Sequence, residues 1–404
     1  MFGTPRLTLL LVFISVSVYA RVIPGIEVLL TDSTHLVAGK RVGLVTNPTG
    51  VTHDLTSDID VLRAHPEVRL VSLFGPEHGV RGSADAGKQV STYTDSLTGL
   101  PVYSLYGKTK IPTKEMLNDV DVLLFDIQDI GSRAYTYLYT MAYVMQAAAR
   151  DSVPIIVLDR PDPLGGNLVE GPMLQPEFVS FIGLYEIPYI YGMTIGELAK
   201  LFNSEFNIGA DLTVVPMQGW TRDMTYAETG LPWVPTSPHI PRAETPFFTA
   251  TTGCMGELGT VNGGVGYTLP FELVGMPWID GRTLADTLNS YQLPGVIFRP
   301  LYYTPYYTGL KGKELQGVQI HIVDQKAYRP MLTQLHILYA LYTLYPEHDI
   351  FASERTDMFD KAMGTDEVRK SIVSGVSADT LYNRTTRGLN PFLHIRSQYL
   401  IYKD

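Results

Sequence analysis

Three stretches of the sequence combine carboxylates with arginine or histidine and with turn-forming residues. Paired carboxyl groups can protonate a leaving oxygen and stabilise an oxocarbenium-like transition state, and arginine binds anionic substituents. This inventory is typical of a glycosidase site. The stretches are residues 75–82 (with Glu77, His78 and Arg81), 126–133 (with Asp126, Gln128, Asp129 and Arg133) and 159–167 (with Asp159, Arg160 and Asn167).

Each stretch also has a purely structural interpretation. Glu77 and His78 stand between a proline and a glycine, as in a tight turn, and the same Pro-Glu-His tripeptide recurs at residues 346–348, where we expect only a helix end. Asp126 or Asp129 could cap the following helix, with Arg133 as a structural partner. Both interpretations stay open from the sequence alone.

The elements that must position these stretches are short, apolar, β-branched runs. Segments with helical spacing separate them, and this alternation predicts a parallel, doubly wound sheet that is covered on both faces. Ligands of such sheets bind beyond the carboxyl ends of the strands, so the stretches are expected to converge there. The predicted strands are residues 41–46, 68–74, 120–125, 154–158 and 212–215.

Helix and domain boundaries are also marked. Thr194 and Glu197 form a capping-box pattern before an apolar stripe, and Gly209 follows the predicted helix. Five prolines between residues 231 and 246 are too dense for a helix or an interior strand. We therefore predict an α/β sheet domain over residues 21–235 and a smaller, mixed α/β domain over residues 236–404.

The first twenty residues predict an export signal. Arg6 precedes an apolar run over residues 7–18, and residues 18–20 resemble a cleavage site. A membrane anchor is the alternative, but the run is shorter than the roughly 20 residues that span a bilayer. We expect an exported protein, periplasmic or extracellular, that leaves the membrane once the signal is cleaved.

Composition excludes several function classes. The formal net charge of −10 without a Lys/Arg run argues against nucleic-acid binding. Cys254 is the single cysteine, so no internal disulfide forms, and we expect it to be buried. The chain contains none of the glycine-rich phosphate loops, the H-E-x-x-H zinc pattern or the G-x-S-x-G serine elbow. We expect no cofactor and no metal, and the oligomeric state stays open.

At these same loops the sequence resembles the NamZ-type exo-β-N-acetylmuramidases. The resemblance implies a Rossmann-like N-terminal domain, a smaller C-terminal α/β domain, and a cleft that releases terminal N-acetylmuramic acid from the non-reducing ends of peptidoglycan fragments. It also implies that Glu77 is the catalytic acid. The matching stretches are residues 75–82, 103–108, 125–139, 158–171, 191–197, 237–241 and 270–272.

We predict that Glu77 is the general acid and that His78, with Asp126 or Asp129, tunes its protonation. Burial and a neighbouring negative charge both raise the pKa of a carboxyl group, which keeps the acid protonated. Because arginine binds carboxylates well, Arg133 or Arg160 is expected to hold the lactyl carboxylate of the sugar. Tyrosines 135, 137 and 139 are expected to pack between sheet and helix. The further candidates for substrate binding are Arg81, Gln128, Tyr135, Asp159, Asn167, Glu170, His239 and Glu257.

Two positions depart from the family pattern. Residues 262–267 read Asn-Gly-Gly-Val-Gly-Tyr where the family has Ser-Glu-Gly-Arg-Gly-Thr, and His239 replaces an asparagine. A hydrolase of a different amino sugar is therefore one alternative. A non-catalytic glycan-binding protein, in which the tyrosines of residues 302–307 stack on sugars, is another. Whether hydrolysis retains or inverts the anomeric configuration, or uses the acetamido group of the substrate, depends on the separation of the carboxyl groups and stays open.

Overall fold

A computed structural model describes residues 21–82 and 92–403. The predicted export signal lies outside the described residues. Among the residues that the structure describes, no helix is long and apolar enough to span a membrane.

The first part of the chain alternates strands and helices, as the sequence predicts. Its strands are β1 (Arg41–Thr46), β2 (Arg69–Gly75), β3 (Tyr93–Thr94), β4 (Pro101–Ser104), β5 (Val122–Asp126), β6 (Ile155–Leu158), β7 (Glu170–Met173), β8 (Pro188–Ile190) and β9 (Leu212–Val215). Its helices are α1 (Gly25–Asp32), α2 (Asp58–Ala64), α3 (Lys114–Leu117), α4 (Tyr137–Asp151) and α5 (Ile195–Glu205).

Seven of these strands form one sheet in the order β3-β4-β2-β1-β5-β6-β9. All neighbours are parallel except β3 and β4. Apolar clusters cover both faces of the sheet, which confirms the predicted doubly wound fold. The five predicted strands are present, and none of their ends moves by more than two residues.

Helix α5 shows how local sequence sets an element. The Thr194 hydroxyl accepts a hydrogen bond from the Glu197 amide (3.3 Å), and the Glu197 carboxylate accepts one from the Thr194 amide (3.1 Å). The predicted capping box is therefore confirmed, and the helix ends at Glu205, before Gly209.

The second part is a mixed α/β unit, as predicted. Strands β10, β12 and β11 form an antiparallel sheet in that order, and a large apolar core joins it to the helices. Cys254 is buried in this core, as predicted. The elements are α6 (Thr245–Glu257), β10 (Leu273–Met276), α7 (Gly281–Ser290), β11 (Val296–Tyr303), β12 (Leu315–Ile322), α8 (Pro330–Leu344), α9 (Thr356–Met363), α10 (Glu367–Val373), α11 (Ala378–Arg387) and α12 (Asn390–Arg396).

The proline-rich segment that precedes α6 contains neither an α-helix nor a strand over residues 231–244. It crosses the sheet edge near the Glu77 loop, as described below. A boundary at residue 235 stays a prediction.

Candidate active site

The candidate site lies at the carboxyl edge of the large sheet. Strand β1 is central, with β2 on one side and β5 on the other, so the chain reverses its direction of winding there. Crevices of doubly wound sheets open at such a point. The loops after β1, β2, β5 and β6 all emerge at this edge.

Glu77 lies on a tight turn that follows β2. The Gly79 amide donates to the Pro76 carbonyl (3.0 Å), and both His78 (φ +71°) and Gly79 (φ +74°) adopt left-handed backbone conformations. Such a conformation is uncommon for a residue other than glycine, and it strains the backbone. Strained backbone of this kind often occurs at functional sites. The turn leaves Glu77 half-buried and His78 buried.

Two tyrosine hydroxyls flank the Glu77 carboxyl group. The Tyr106 hydroxyl hydrogen-bonds to it, and burial together with the Glu77 charge raises the pKa of Tyr106 to about 12. Tyr137 also lies near Glu77, and burial raises the pKa of its hydroxyl. Both hydroxyls therefore stay protonated at neutral pH and can donate hydrogen bonds.

Thr236, in the proline-rich segment, contacts Tyr137 and the neighbouring Tyr135. The Tyr137 hydroxyl donates to the Thr236 carbonyl (2.7 Å), and the Tyr135 hydroxyl donates to the Thr236 hydroxyl (2.9 Å). The two tyrosine rings meet edge to face, with centroids 4.9 Å apart. Tyr137 and Tyr139 pack in the core beside the sheet, as predicted, whereas Tyr135 is only half-buried.

His239 connects the Glu77 loop with the second part of the chain. Burial and the nearby His78 lower the pKa of His239, so its imidazole is neutral at neutral pH. Its Nε2 atom hydrogen-bonds with the Tyr307 hydroxyl (2.7 Å). The predicted candidates Glu77, His78 and His239 are thus brought together in one place.

Asn47 is a residue that the sequence analysis missed. It follows β1 directly and lies beside the Tyr137 hydroxyl. Its Oδ1 accepts from the Thr49 amide (2.9 Å) and hydroxyl (2.5 Å), whereas its buried Nδ2 has no partner of normal hydrogen-bond geometry among the described residues. Its position after the first strand is the signal that could have found it. Tyr106 was also missed as a site residue, although it follows β4 at the same edge.

Asp126 and Arg160 are bound to each other. They form a buried ion pair (Nη2 to Oδ2, 2.8 Å), and Arg160 also donates to the Val51 carbonyl (2.9 Å). Burial, followed by the neighbouring Asp126, raises the pKa of Asp58 well above its ordinary value. Both side chains bind the protein itself, and the predictions that Asp126 tunes Glu77 and that Arg160 holds a lactyl carboxylate stay predictions.

Arg133 also has a structural role. It is fully buried, and its guanidinium donates to four backbone carbonyls instead of pairing with Asp126 or Asp129. The alternative of an acid partner is therefore wrong, and the lactyl contact stays a prediction. The acceptors are the carbonyls of Pro172 (2.9 Å), Ile187 (2.7 Å), Ala362 (3.4 Å) and Met363 (2.6 Å), which belong to both parts of the chain.

Asp129 lies beside Tyr135 in the interior and does not cap α4. Its Oδ2 atom accepts from the Gly131 amide (3.0 Å) and from the Tyr191 hydroxyl. Burial raises the pKa of Asp129 to about 6 and that of the nearby Asp162 well above its ordinary value. The predicted effect of Asp129 on Glu77 stays a prediction.

Two further predicted contacts, Asp159 and Glu170, are buried structural acids. Asp159 accepts from the Thr194 hydroxyl (2.7 Å) and the Gly196 amide (2.8 Å), and burial raises its pKa to about 6. Glu170 accepts from the Met331 amide (3.0 Å), and burial raises its pKa to about 7. Contact of these two residues with substrate stays a prediction.

The remaining candidates lie apart from one another. Arg81 pairs with Asp95 (3.0 Å), and Gln128 donates to the Pro161 carbonyl (2.7 Å). Asn167 is exposed and lines a cavity of about 230 Å³ to which neither Arg81 nor Gln128 contributes. Contact with substrate stays a prediction for these three residues.

Glu257 lies on α6, in the cleft between the two parts. It pairs with Arg355 (2.8 Å) and lines two adjoining cavities of about 230 and 450 Å³. Tyr135 lines the smaller of the two, so the cleft reaches the tyrosine whose ring packs on Tyr137. Among the described residues, no group of three or more His, Cys, Asp or Glu could hold a metal ion.

Comparison with known proteins identifies similar chains. Models of the family described as "Exo-beta-N-acetylmuramidase NamZ" match residues 42–244 (N-terminal) and 250–402 (C-terminal). A Bacillus subtilis (strain 168) relative, described as "Peptidoglycan beta-N-acetylmuramidase NamZ", is 50% identical over 378 residues, which cover 94% of this chain and 91% of the relative.

Two crystal structures of DUF1343 family proteins from Bacteroides fragilis NCTC 9343 share the fold. One has a TM-score of 0.90 and 45% identity, and the match covers 95% of this chain and 99% of that protein. The other has a TM-score of 0.75 and 29% identity, with coverages of 95% and 100%.

Proposed function

Because this chain belongs to the NamZ family of exo-β-N-acetylmuramidases, we propose that it removes terminal N-acetylmuramic acid from the non-reducing ends of peptidoglycan fragments. As the general acid we propose Glu77. The observation that carries this assignment is the placement of Glu77, half-buried on a strained turn at the sheet edge and hydrogen-bonded to a tyrosine that stays protonated. The family likeness supports the reaction, and the geometry supports the residue.

In this mechanism the Glu77 carboxyl group protonates the glycosidic oxygen as the bond to the leaving sugar breaks. Negative charge then develops on the Glu77 carboxylate, and the Tyr106 hydroxyl stabilises it by donating a hydrogen bond. Water finally takes the place of the leaving sugar at the anomeric carbon. The Nδ1 atom of the neutral His239 imidazole can bind a sugar hydroxyl group, whereas its Nε2 atom is bonded to Tyr307. The unpartnered Nδ2 of Asn47 offers a further donor beside Tyr137.

The test is hydrolysis by the purified protein of para-nitrophenyl N-acetylmuramic acid and of its N-acetylglucosamine analogue. We expect phenol release from the muramic substrate only. On the disaccharide of N-acetylmuramic acid and N-acetylglucosamine, whose sugar leaving group needs a proton, Glu77→Gln should lower the rate by about 10²- to 10⁴-fold, which is the usual contribution of a positioned acid. The loss on the para-nitrophenyl substrate should be smaller, because para-nitrophenolate leaves with little protonation.

The chain offers a matched control for that substitution. Glu347 stands in the same Pro-Glu-His tripeptide, but it is exposed after α8, as the sequence predicted for a helix end. Glu347→Gln should therefore keep normal turnover. Near-normal turnover of the disaccharide by Glu77→Gln would refute its role as the acid. Release from the glucosamine analogue alone would indicate a different amino sugar, and tight binding of a muramyl fragment without release would indicate a glycan-binding protein.

We also propose that the protein is exported and acts on wall fragments outside the cytoplasm. The support is the apolar run of residues 7–18, preceded by Arg6 and followed by small residues. Amino-terminal sequencing of the protein from its native cell should begin near Arg21. A chain that still begins at Met1 and fractionates with membranes would indicate the anchor instead.

A further inference from the structure

Two exposed tyrosines lie at the tip of the β11–β12 hairpin. The strands pair from Val296 with Ile322 to Tyr303 with Leu315, and the connecting loop carries Tyr306 and Tyr307. Tyr306 is 57% exposed and Tyr307 is 47% exposed, whereas Tyr303 is 4% exposed. Large exposed aromatic side chains of this kind often mark a binding surface.

The segment that departs from the family pattern supports this tip. The Asn262 Oδ1 atom accepts from the Tyr303 hydroxyl (2.8 Å), and the Gly266 carbonyl accepts from the Tyr306 amide (2.7 Å). The Tyr267 ring lies 5.5 Å from the Tyr306 ring and 5.4 Å from the Tyr303 ring, between centroids. The substituted residues of segment 262–267 therefore hold the aromatic tip in place.

The backbone of segment 262–267 also requires glycine at a contact point. A Cβ atom added to Gly266 would lie 2.7 Å from the Tyr307 carbonyl oxygen, and its φ of +99° is one that glycine tolerates. The close approach of the two backbones sets the position of the tip.

The tip is continuous with the candidate active site. The Tyr307 hydroxyl and the His239 Nε2 atom are 2.7 Å apart, and the two rings are nearly parallel, at 15°. His239 in turn lies near His78, the residue that follows Glu77. The exposed tyrosine faces thus lie on the side of the site that opens to solvent.

We propose that Tyr306 and Tyr307 form a platform for the sugar on the leaving side of the scissile bond, the N-acetylglucosamine that follows the terminal muramic acid. The inference rests on the proposed function. An exo-acting site encloses the terminal sugar, so the rest of the chain must leave through the open side. A tyrosine there offers an apolar ring for the C–H face of a pyranose and a hydroxyl for its polar edge.

The experiment compares a substrate that has a leaving sugar with one that lacks it. The first is the disaccharide of N-acetylmuramic acid β-linked to N-acetylglucosamine, and the second is N-acetylmuramyl β-fluoride, whose leaving group is an ion. For Tyr306→Ala we expect the ratio of kcat/KM for the disaccharide to that for the fluoride to fall about tenfold. Tyr302→Ala is the control: Tyr302 is 63% exposed but adjacent to the buried Tyr303 on β11, so its side chain points to the opposite face.

The platform would be overturned if this ratio of kcat/KM values were unchanged both in Tyr306→Ala and in the variant that carries Tyr306→Ala together with Tyr307→Ala. If the wild type acts on neither substrate, the proposed function fails and the platform is tested by binding instead. Titration calorimetry would then compare binding of the disaccharide to Glu77→Gln and to the variant that carries both Glu77→Gln and Tyr306→Ala. We expect a Kd about tenfold higher for the variant with both substitutions, and equal Kd values would refute the platform. Unchanged thermal unfolding midpoints would show that the variants are folded.

Discussion

Two sets of charged loops emerge from the same edge of the sheet and differ in what their side chains bind. The inner loops, named for the burial of their charged side chains, are residues 126–133 and 159–167, and they follow β5 and β6 on one side of the central strand β1. The outer loop, residues 75–82, follows β2. Asp126, Arg133 and Asp159 of the inner loops are buried and bonded to the protein, whereas Glu77 of the outer loop is half-buried beside Tyr106.

The two sets of loops differ in burial because different segments of the chain pack against them. The carboxyl-terminal residues reach the inner loops, where the Tyr402 hydroxyl donates to Asp159 (2.5 Å). Around Glu77, the outer loop lies near Tyr106, Tyr137 and His239. Charged side chains that are excluded from water must find partners within the protein, which leaves them unavailable to a ligand. Carboxylates at the same edge of a sheet therefore differ in whether they are available to a ligand.

The largest expected effect concerns the inner ion pair. Arg160→Leu leaves Asp126 buried beside Asp58 without its partner, so the free energy of unfolding should fall by about 3–5 kcal/mol. Urea denaturation measures it. Arg384→Ala breaks an exposed pair with Glu367 and should have little effect. Equal losses in the two variants would contradict the structural role of the buried inner ion pair.

A matched pair of tyrosines tests the division through activity. The Tyr137 hydroxyl donates to the Thr236 carbonyl (2.7 Å) and the Tyr139 hydroxyl to the Arg133 carbonyl (2.9 Å), and both rings are buried. Replacement by phenylalanine should cost about 1 kcal/mol of unfolding free energy in each case. Only Tyr137→Phe should lower kcat/KM, by about tenfold, because only Tyr137 lies near Glu77. Similar kinetics for both variants would argue against a catalytic environment at Tyr137.

The pH dependence of stability tests whether the inner acids are structural. The Asp129 carboxyl group has a pKa of about 6 in the folded protein, compared with 3.8 ordinarily. The folded state therefore holds the proton more tightly, and this contribution to stability is lost as the pH rises through 6. Relative to Asp129→Asn, the unfolding free energy of the wild type should be about 1 kcal/mol lower at pH 7 than at pH 5. Parallel denaturation curves at the two pH values would refute the shift.

The smallest effect is expected at Glu257, on the open side of the cleft. Its pair with Arg355 is exposed, so Glu257→Gln should change the unfolding free energy by less than about 1 kcal/mol. If Glu257 binds substrate as predicted, KM rises severalfold while kcat is unchanged. Unaltered steady-state kinetics would remove Glu257 from the site.

Much of the scaffold was predictable because it depends on local patterns. The apolar runs predicted the strands to within two residues, and the Thr194 to Glu197 spacing predicted the start of α5. The Glu77 turn was also predicted, since proline and glycine at fixed positions define a turn wherever they occur. Asn47 was missed although it obeys the same rule of position, directly after a strand.

The sequence by itself determined the fold class, the family and the edge of the sheet where the polar loops gather, because periodicity and motif spacing are properties of neighbours along the chain. Only the tertiary structure decided which charges are available to a ligand. Arg133 finds its acceptors up to 230 residues away, and His239 meets Tyr307 across 68 residues. Such partners depend on how distant segments pack, and burial determines whether a side chain binds the protein or faces a substrate.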